Sequence, residues 1–395
     1  MWRLLKARVD LAFIVNPFYL YCIGFSLAIF VYLWGWSDIY PELSPGLILF
    51  FALTFMLFIY AGNKFGKMKF LNLNHTYSHK YLIDIIFWLI ILLGFINVMF
   101  MGYLPVLDHS HDYREFGMPV VDTVFNTLSI FFSVFFFQIY LENKKKRFLV
   151  YILFILIIQI LLFRRSTIIW IITSSSFLFL LYKRNLILLI LIAAFFCIPF
   201  LSYFFGFYGN ERSNLTKSFV LNDLGASDIF IGSGISHNHY MTYLYVSSPL
   251  ANLQKNINES VGFFNKRDVK DFFFYCLTPV SLTIRLEKPL KLTSPVCNLI
   301  TPELIAGSLF MVSFYTMGWP GMIIMLLFLF VFIVLCLSLI KKWSTFNLTT
   351  YSLLATTVSL LIFSNFLNRL DVILMLFVYP ALFHFVFIGN RSKVT

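Results

Sequence analysis

Charged residues are scarce in this sequence. They make up only 12% of the 395 residues, whereas hydrophobic residues make up 60%. Soluble domains carry about 25% charged residues, and a soluble chain of this size could not bury so much apolar surface in its core. Apolar runs close to the roughly 20 residues that cross a bilayer recur along the chain. The composition therefore excludes a soluble globular protein and indicates a polytopic integral membrane protein.

Motifs of nucleotide-driven chemistry are missing as well. The chain has no Walker loop, no G-x-S-x-G nucleophile elbow and no D-x-D pair of the kind that metal-dependent nucleotide-sugar transferases use. Energy for a reaction would then come from a substrate that is already activated, or from a gradient. We therefore expect no cofactor.

Cysteine is rare, with five residues in the chain. Cys22, Cys197 and Cys336 lie inside apolar runs, where we expect them to be small core residues. Cys276 and Cys297 lie in the one long polar region, where a disulfide bond between them is an option only in an oxidising compartment.

Ten apolar segments are candidate transmembrane helices, so we predict an all-α fold that forms a single membrane domain over residues 1–395. The first segment follows a basic N-terminus and has no small-residue cleavage site after it, which favours an uncleaved span over a signal peptide. The predicted spans are 13–36, 46–62, 81–103, 120–141, 148–163, 167–182, 186–206, 319–340, 348–365 and 372–388.

The distribution of lysine and arginine orients these spans. With the N-terminus inside, most basic clusters fall in cytoplasmic loops, and the short outer loops keep only Arg114, Arg164, Arg165 and Arg369. Both termini are then cytoplasmic, and the net charge of +12 is largely an orientation signal. Because the basic residues are spread over many loops rather than one patch, we expect no nucleic-acid partner.

One outer loop is much longer than the others. It runs from about residue 206 to residue 320, and loops of this length usually carry function. Amphipathic stretches such as 248–264 predict a mostly helical segment that folds over the membrane surface. We expect prolines to interrupt it at Pro249, Pro279, Pro289, Pro295 and Pro302.

Arg164 and Arg165 lie between two long apolar runs. The preceding span has about 16 residues and is roughly 24 Å long, which is short of a hydrocarbon thickness near 30 Å. This places the pair at or just below the outer interface. There the two arginines either snorkel to lipid phosphates or bind an anionic, lipid-attached group. Arg369 either caps a hairpin with Asp371 or joins them around the same anion.

Polar residues of the long outer loop supply further candidates. His237 and His239 are candidate proton acceptors, and nearby rings could stack on sugars, namely Tyr240, Tyr243 and Tyr245. The alternative is that these are ordinary surface residues of an interfacial helix.

A shorter outer loop, 108–116, combines acids, histidines and a charge pair. Its potential metal ligands are close together in a flexible stretch, so no metal site is predicted there; they are Asp108, His109, His111 and Asp112. Arg114 and Glu115, next to Tyr113, form a charge pair at the membrane surface and are the more interesting feature.

Four stretches of sequence suggest a family. They are VNPFYLYCIG…YLWGWSDIYPELS (15–44), LPVL…YREFGMP (104–119), YLYVSSPLANL (243–253) and SFYTMGWPGMI (313–323). Together with the number of spans and the layout of loops, they give the chain a resemblance to the Wzy-type polymerases of bacterial O-antigen and capsule repeat units. The resemblance covers essentially the whole chain.

The resemblance implies glycosyl transfer on the periplasmic face of the inner membrane. A growing glycan on undecaprenyl pyrophosphate would be transferred to the non-reducing end of an incoming lipid-linked repeat unit. The pyrophosphate-lipid is the leaving group, so no nucleotide is needed. The implied partners are the undecaprenyl-pyrophosphate-linked oligosaccharide, membrane lipid and a chain-length regulator protein.

Such a reaction needs a base for the acceptor hydroxyl and cations for the departing pyrophosphate. The candidate bases, in order of preference, are His237, His239, Glu211 and Glu115. The candidate pyrophosphate ligands are Arg164, Arg165, Arg212, Arg285 and Arg369. The other candidate substrate-binding residues are Tyr113, Arg114, Tyr243 and Tyr245.

Two other functions stay open. An O-antigen ligase shares the architecture and the donor but passes the glycan to a lipid A core, and sequence separates it poorly from a polymerase. A flippase or transporter of lipid-linked repeat units is the second alternative. The long outer loop and the lack of a visible internal repeat argue against a transporter.

Overall fold

The structure is a computed structural model that describes residues 15–65, 80–108, 116–183, 187–212, 216–260 and 269–388. Within these ranges all the named regular elements are helices, and the only β-type pairing is an isolated bridge between Ser37 and Ala226. The predicted all-α fold is confirmed.

Sixteen α-helices follow one another in these ranges. They are α1 Pro17–Tyr32, α2 Pro45–Phe65, α3 Lys80–Met101, α4 Pro119–Asn143, α5 Arg147–Leu161, α6 Arg165–Tyr182, α7 Ile187–Arg212, α8 Asp228–Gly232, α9 His237–Asn258, α10 Val269–Phe272, α11 Val280–Leu290, α12 Met311–Met317, α13 Trp319–Ile340, α14 Asn347–Ser359, α15 Leu370–Ile373 and α16 Tyr379–Ile388. A π-helical turn, Leu374–Val378, joins α15 to α16.

Five of these helices are long and apolar enough to cross a bilayer: α2, α3, α4, α6 and α13. Four shorter apolar helical stretches accompany them: Pro17–Tyr32, Arg147–Leu161, Ile198–Phe207 and Leu370–Val386. The chain is therefore a multi-pass membrane protein. The number of about ten spans and the outer position of the long loop stay predictions.

Helix α4 lies at the centre of the bundle and packs against α3, α5, α6 and α14. Its phenylalanines form a fully buried aromatic core, namely Phe125, Phe131, Phe132, Phe135 and Phe136. Phe131 and Phe132 meet edge to face, as do Phe132 and Phe383, which is the arrangement that ring quadrupoles favour. This core fixes α4, and with it the polar residues of its first turns.

Helix α14 is shorter than the predicted span 348–365, because it ends at Ser359. It is buried on all sides, and it meets α6 through a hydrogen bond of 2.8 Å between the hydroxyls of Ser174 and Thr356. Small polar residues let helices approach closely in a membrane bundle. The chain after Ser359 leaves the helix and forms a short 3-10 turn at Phe366–Asn368.

Helix α9 crosses the segment predicted as the long outer loop. Pro249 lies inside this helix and is buried, so the expectation that Pro249 interrupts the segment is wrong. Packing against α1, α7 and α12 holds the helix continuous around the missing backbone donor. Pro289 likewise lies inside α11.

Buried amides of α9 organise the irregular chain that follows α11. Asn252 donates to the carbonyls of Leu304 and Ala306 at 2.7 and 2.8 Å, and Asn256 exchanges hydrogen bonds with the backbone of Asn298. These side chains are therefore internal. In the part of the chain that the structure describes, Cys276 and Cys297 are both thiols.

Candidate functional site

A polar cavity of about 700 Å³ opens among the first turns of α4 and α6, the start of α11 and two further segments, 305–308 and 364–371. The charged groups among the described residues that line it are two acids and two arginines, namely Asp122, Arg164, Arg369 and Asp371. Amide side chains of Asn126, Asn365 and Asn368 also line it, with Trp170 on one wall.

Arg164 enters this cavity from a sharp turn between α5 and α6. Phe163 has a positive φ of 53°, a conformation that bulky residues rarely adopt, and the Arg164 amide then donates to the Gln159 carbonyl at 2.9 Å. Nη2 of Arg164 lies 2.8 Å from Oδ2 of Asp122 and also donates to the Phe116 carbonyl. The arginine thus ties the start of α6 to the start of α4.

Asp122 is held by a second contact. Nδ2 of Asn126, one turn further along α4, donates to Oδ2 of Asp122 at 3.0 Å. The other carboxylate oxygen, Oδ1, and Nε of Arg164 are buried and have no partner among the described residues. Two hydrogen-bonding atoms of this ion pair are therefore buried and unengaged.

Arg369 forms the second ion pair of the cavity. Its Nε and Nη2 donate to the two oxygens of Asp371 at 3.1 and 2.7 Å, and its guanidinium lies 5.2 Å from the Phe366 ring centroid. The turn before it is fixed because Asn365 and Asn368 donate to the carbonyls of Cys276 and Tyr275 at 2.8 and 2.9 Å. Arg369 is therefore positioned both by the carboxylate of Asp371 and by the turn that precedes it.

The two ion pairs make the charged lining formally neutral. A guanidinium has five N–H donors, and Arg369 uses only Nε and Nη2 on its carboxylate, while Arg164 uses only Nη2. Each arginine therefore keeps donors for an anion without breaking its ion pair.

An apolar groove of about 690 Å³ adjoins the polar cavity. It lies among α6, α7, α9 and the chain after α14, and aliphatic and phenylalanine side chains such as Leu201 and Phe205 form most of its wall. Three residues line both spaces: Ser166, Trp170 and Arg369. A ligand with a polar head and a long apolar tail fits this pair of adjoining spaces.

The two candidate histidines lie at the start of α9 and line neither space. Nδ1 of His239 lies 3.0 Å from Oγ of Ser202, a residue of the groove wall. Burial lowers the pKa of His239, and burial together with the Lys217 charge lowers the pKa of His237. Both imidazoles are consequently neutral at pH 7, which suits a proton acceptor, but neither lines the cavity that contains the arginines.

The candidate tyrosines have different surroundings. Tyr243 is buried between the rings of Tyr40 and Tyr240, at 5.9 Å from each, and lines neither space. Tyr240 is fully buried, and its hydroxyl donates to the Leu224 carbonyl. Tyr245 lines the apolar groove rather than the polar cavity. The structure therefore brings only Tyr245 to the candidate site.

The remaining sequence candidates are distributed as follows. Arg165 is half-buried as the first residue of α6 and does not line the cavity, so the adjacent pair is divided. Arg285 is exposed on α11 and lines neither space. The side chains of Glu211 and Arg212, and all of Tyr113, Arg114 and Glu115, lie outside the part of the chain that the structure describes.

Sequence reasoning missed Asp122, Asn126, Asn365 and Asn368. Asp122 had a usable signal, because an acid near the start of an apolar span is costly unless it is paired or functional. Asn365 and Asn368 had no signal in the sequence, since only the turn of the chain after α14 brings them to the cavity.

No family model, curated protein or solved structure matches this chain. No group of three or more histidine, cysteine or acidic side chains that could hold a metal ion occurs among the described residues.

Proposed function

We propose that this protein is a glycosyltransferase that polymerises undecaprenyl-pyrophosphate-linked oligosaccharide repeat units on the periplasmic face of the bacterial inner membrane, with both termini in the cytoplasm. The observation that supports this function is the junction of the polar cavity and the apolar groove at Ser166, Trp170 and Arg369. The resemblance in sequence supplies the substrate class.

The junction suits a lipid pyrophosphate. The isoprenoid tail would lie along the groove, whose lining is almost entirely apolar apart from Ser166, Ser202, Thr242 and Arg369. The pyrophosphate would then lie beside Arg369 and within reach of the cavity that Arg164 lines. Apolar burial favours the tail, and the guanidinium forks favour the head.

The same cavity offers groups for the saccharide. Asn126, Asn365, Asn368 and Ser308 provide amide and hydroxyl groups that can donate to and accept from sugar hydroxyls. The segment 305–308 comes from the predicted long outer loop and is held by Asn252 of α9. A cavity that combines neutral hydrogen-bonding groups with two arginines is suited to a polyol next to a charged leaving group.

In this mechanism the chain lowers the barrier by stabilising the departing pyrophosphate. As the bond between the anomeric carbon and the pyrophosphate breaks, negative charge grows on the phosphate oxygens, and preoriented arginines stabilise that charge. The ion pairs with Asp122 and Asp371 hold both guanidiniums in place before the substrate arrives.

Deletion of the gene, followed by gel electrophoresis of the surface polysaccharide, tests this function. A polymerase predicts lipid A core that carries a single repeat unit. Core with no unit at all would contradict polymerisation and favour a ligase or a flippase. Elongation of a lipid-linked repeat unit by the purified protein would be the direct demonstration.

A further inference from the structure

We infer that Asp122 is the proton acceptor for the sugar hydroxyl in the transfer reaction, with Oδ1 as the accepting atom. The inference rests on the proposed function and concerns a residue that was not among the candidates named from the sequence. Its starting point is a carboxylate oxygen that is buried and has no partner among the described residues, in a residue that lines the polar cavity.

The other acid of the cavity is already fully engaged. Oδ1 of Asp371 accepts from Nε of Arg369 and from the Val372 amide, and its Oδ2 accepts from Nη2 of Arg369. In Asp122 both contacts, from Arg164 and Asn126, go to Oδ2. Among the described acids that line the cavity, Asp122 alone therefore has an oxygen without a hydrogen-bond donor.

The local backbone fixes the direction of this carboxylate. Gly117 has a φ of +111°, and a Cβ atom at this position would lie 2.7 Å from the Asp122 carboxyl carbon. The loop before α4 therefore packs directly on Asp122, and Asn126 holds it from the following turn. Contacts with Arg164 and Asn126 both fix Oδ2, so Oδ1 is the oxygen that is left without a donor.

The histidines fit this role less well. His239 is bonded to Ser202 on the wall of the groove, and neither His237 nor His239 lines the cavity with the two arginines. A base must lie within hydrogen-bond reach of the hydroxyl that attacks, and that hydroxyl must be close to the pyrophosphate-bearing carbon. Asp122 lines the same cavity as both arginines and is paired with one of them, Arg164.

The chemical step is balanced without a further reactant. The acceptor hydroxyl gives its proton to Oδ1 of Asp122 while its oxygen forms a bond to the anomeric carbon of the donor. The bond from that carbon to the pyrophosphate oxygen breaks, and its electron pair leaves with the lipid pyrophosphate. Asp122 then releases the proton to water, so each transfer yields one glycosidic bond, one lipid pyrophosphate and one proton.

The test uses the purified full-length protein in lipid nanodiscs with a synthetic undecaprenyl-pyrophosphate-linked repeat unit. Rates are measured across pH and normalised to the fraction of protein that binds undecaprenyl pyrophosphate. For Asp122→Asn we expect kcat to fall by about 10²- to 10⁴-fold with little change in KM, because proton transfer contributes in this range. The acidic limb of the pH profile should disappear, and Asp122→Glu should recover part of the rate.

Asp371→Asn is the matched control, since it removes the other acid of the same cavity. It should raise KM through a looser Arg369 and keep the acidic limb of the profile. A normalised kcat for Asp122→Asn within a few-fold of the wild type would overturn the assignment while leaving the transferase function intact. A wild-type protein that binds the lipid but never elongates it would overturn both.

Discussion

Arg164 and Asp122 form an ion pair that joins two helices, with Nη2 of the arginine 2.8 Å from Oδ2 of the aspartate. The side chains are only 21% and 14% exposed, so water screens the pair weakly. Arg164, which follows a short span, thus has a partner inside the protein, in helix α4. Its neighbour Arg165 is the first residue of α6 and does not line the cavity. This division of the two arginines leads to the first prediction.

Arg164→Lys should impair transfer, whereas Arg165→Lys should leave it close to the wild-type rate. Lysine keeps the charge but has no planar fork, so it cannot contact Asp122 and the Phe116 carbonyl in the same geometry. We expect a fall of about tenfold or more in kcat/KM for Arg164→Lys. Elongation assays on the two purified variants provide the comparison, and equal losses in both would show that the pair acts as one unit.

Removing the Arg164 side chain should also destabilise the protein. Breaking a buried pair leaves the other charge uncompensated, which costs on the order of 3 kcal/mol. Arg164→Ala should therefore lower the midpoint of thermal unfolding in detergent, and the double variant Arg164→Ala/Asp122→Asn should regain part of the loss. No recovery in the double variant would mean that the Asp122 charge is not what the arginine compensates.

Arg369→Lys should weaken binding of the lipid pyrophosphate more than it weakens folding. The side chain is 44% exposed, so its pair with Asp371 contributes little to stability, but it lines both the cavity and the groove. We expect KM to rise by about tenfold. Arg285→Lys, on the exposed face of α11, is the control and should have no effect.

The fold was largely accessible from composition and hydropathy, because long apolar runs in a bilayer have few alternatives to helices. Boundaries failed where tertiary contacts override local rules. Buried packing keeps α9 continuous through Pro249, and α14 ends at Ser359 where the predicted span continues to residue 365.

Only part of the candidate site could be predicted from the sequence. Arg164 and Arg369 are visible in the sequence because they interrupt apolar runs, and the structure brings both to one cavity. Asp122 was overlooked within the predicted span 120–141. Tyr243 looked like an exposed sugar platform, but its ring packs in a small core beside Tyr40 and Tyr240, and no local pattern distinguishes these two locations.

Acid should destabilise the protein through the histidines at the start of α9. Their pKa values in the folded chain are lowered below the ordinary 6.5 by burial, so the unfolded chain binds protons more readily than the folded one. Stability from this source is complete above pH 6.5 and is lost as the pH falls from 6.5 through the folded pKa. Thermal unfolding at pH 7.5 and 5.5 should show a smaller acid loss in His239→Gln than in the wild type. An unchanged loss would mean that His239 is not desolvated in the folded protein.

The apolar groove should recognise the tail of the substrate and not its head. Val246→Trp places a large ring in the groove wall, whereas Val331→Trp places the same ring on α13, where the native side chain is 61% exposed and lines neither space. Because each buried methylene contributes about 0.8 kcal/mol, shortening the bound tail by two methylenes should already raise KM by about tenfold. We therefore expect Val246→Trp to raise KM for an undecaprenyl substrate and to leave KM for a short-tailed analogue unchanged, with Val331→Trp neutral for both. An equal rise for both substrates would place the tail elsewhere.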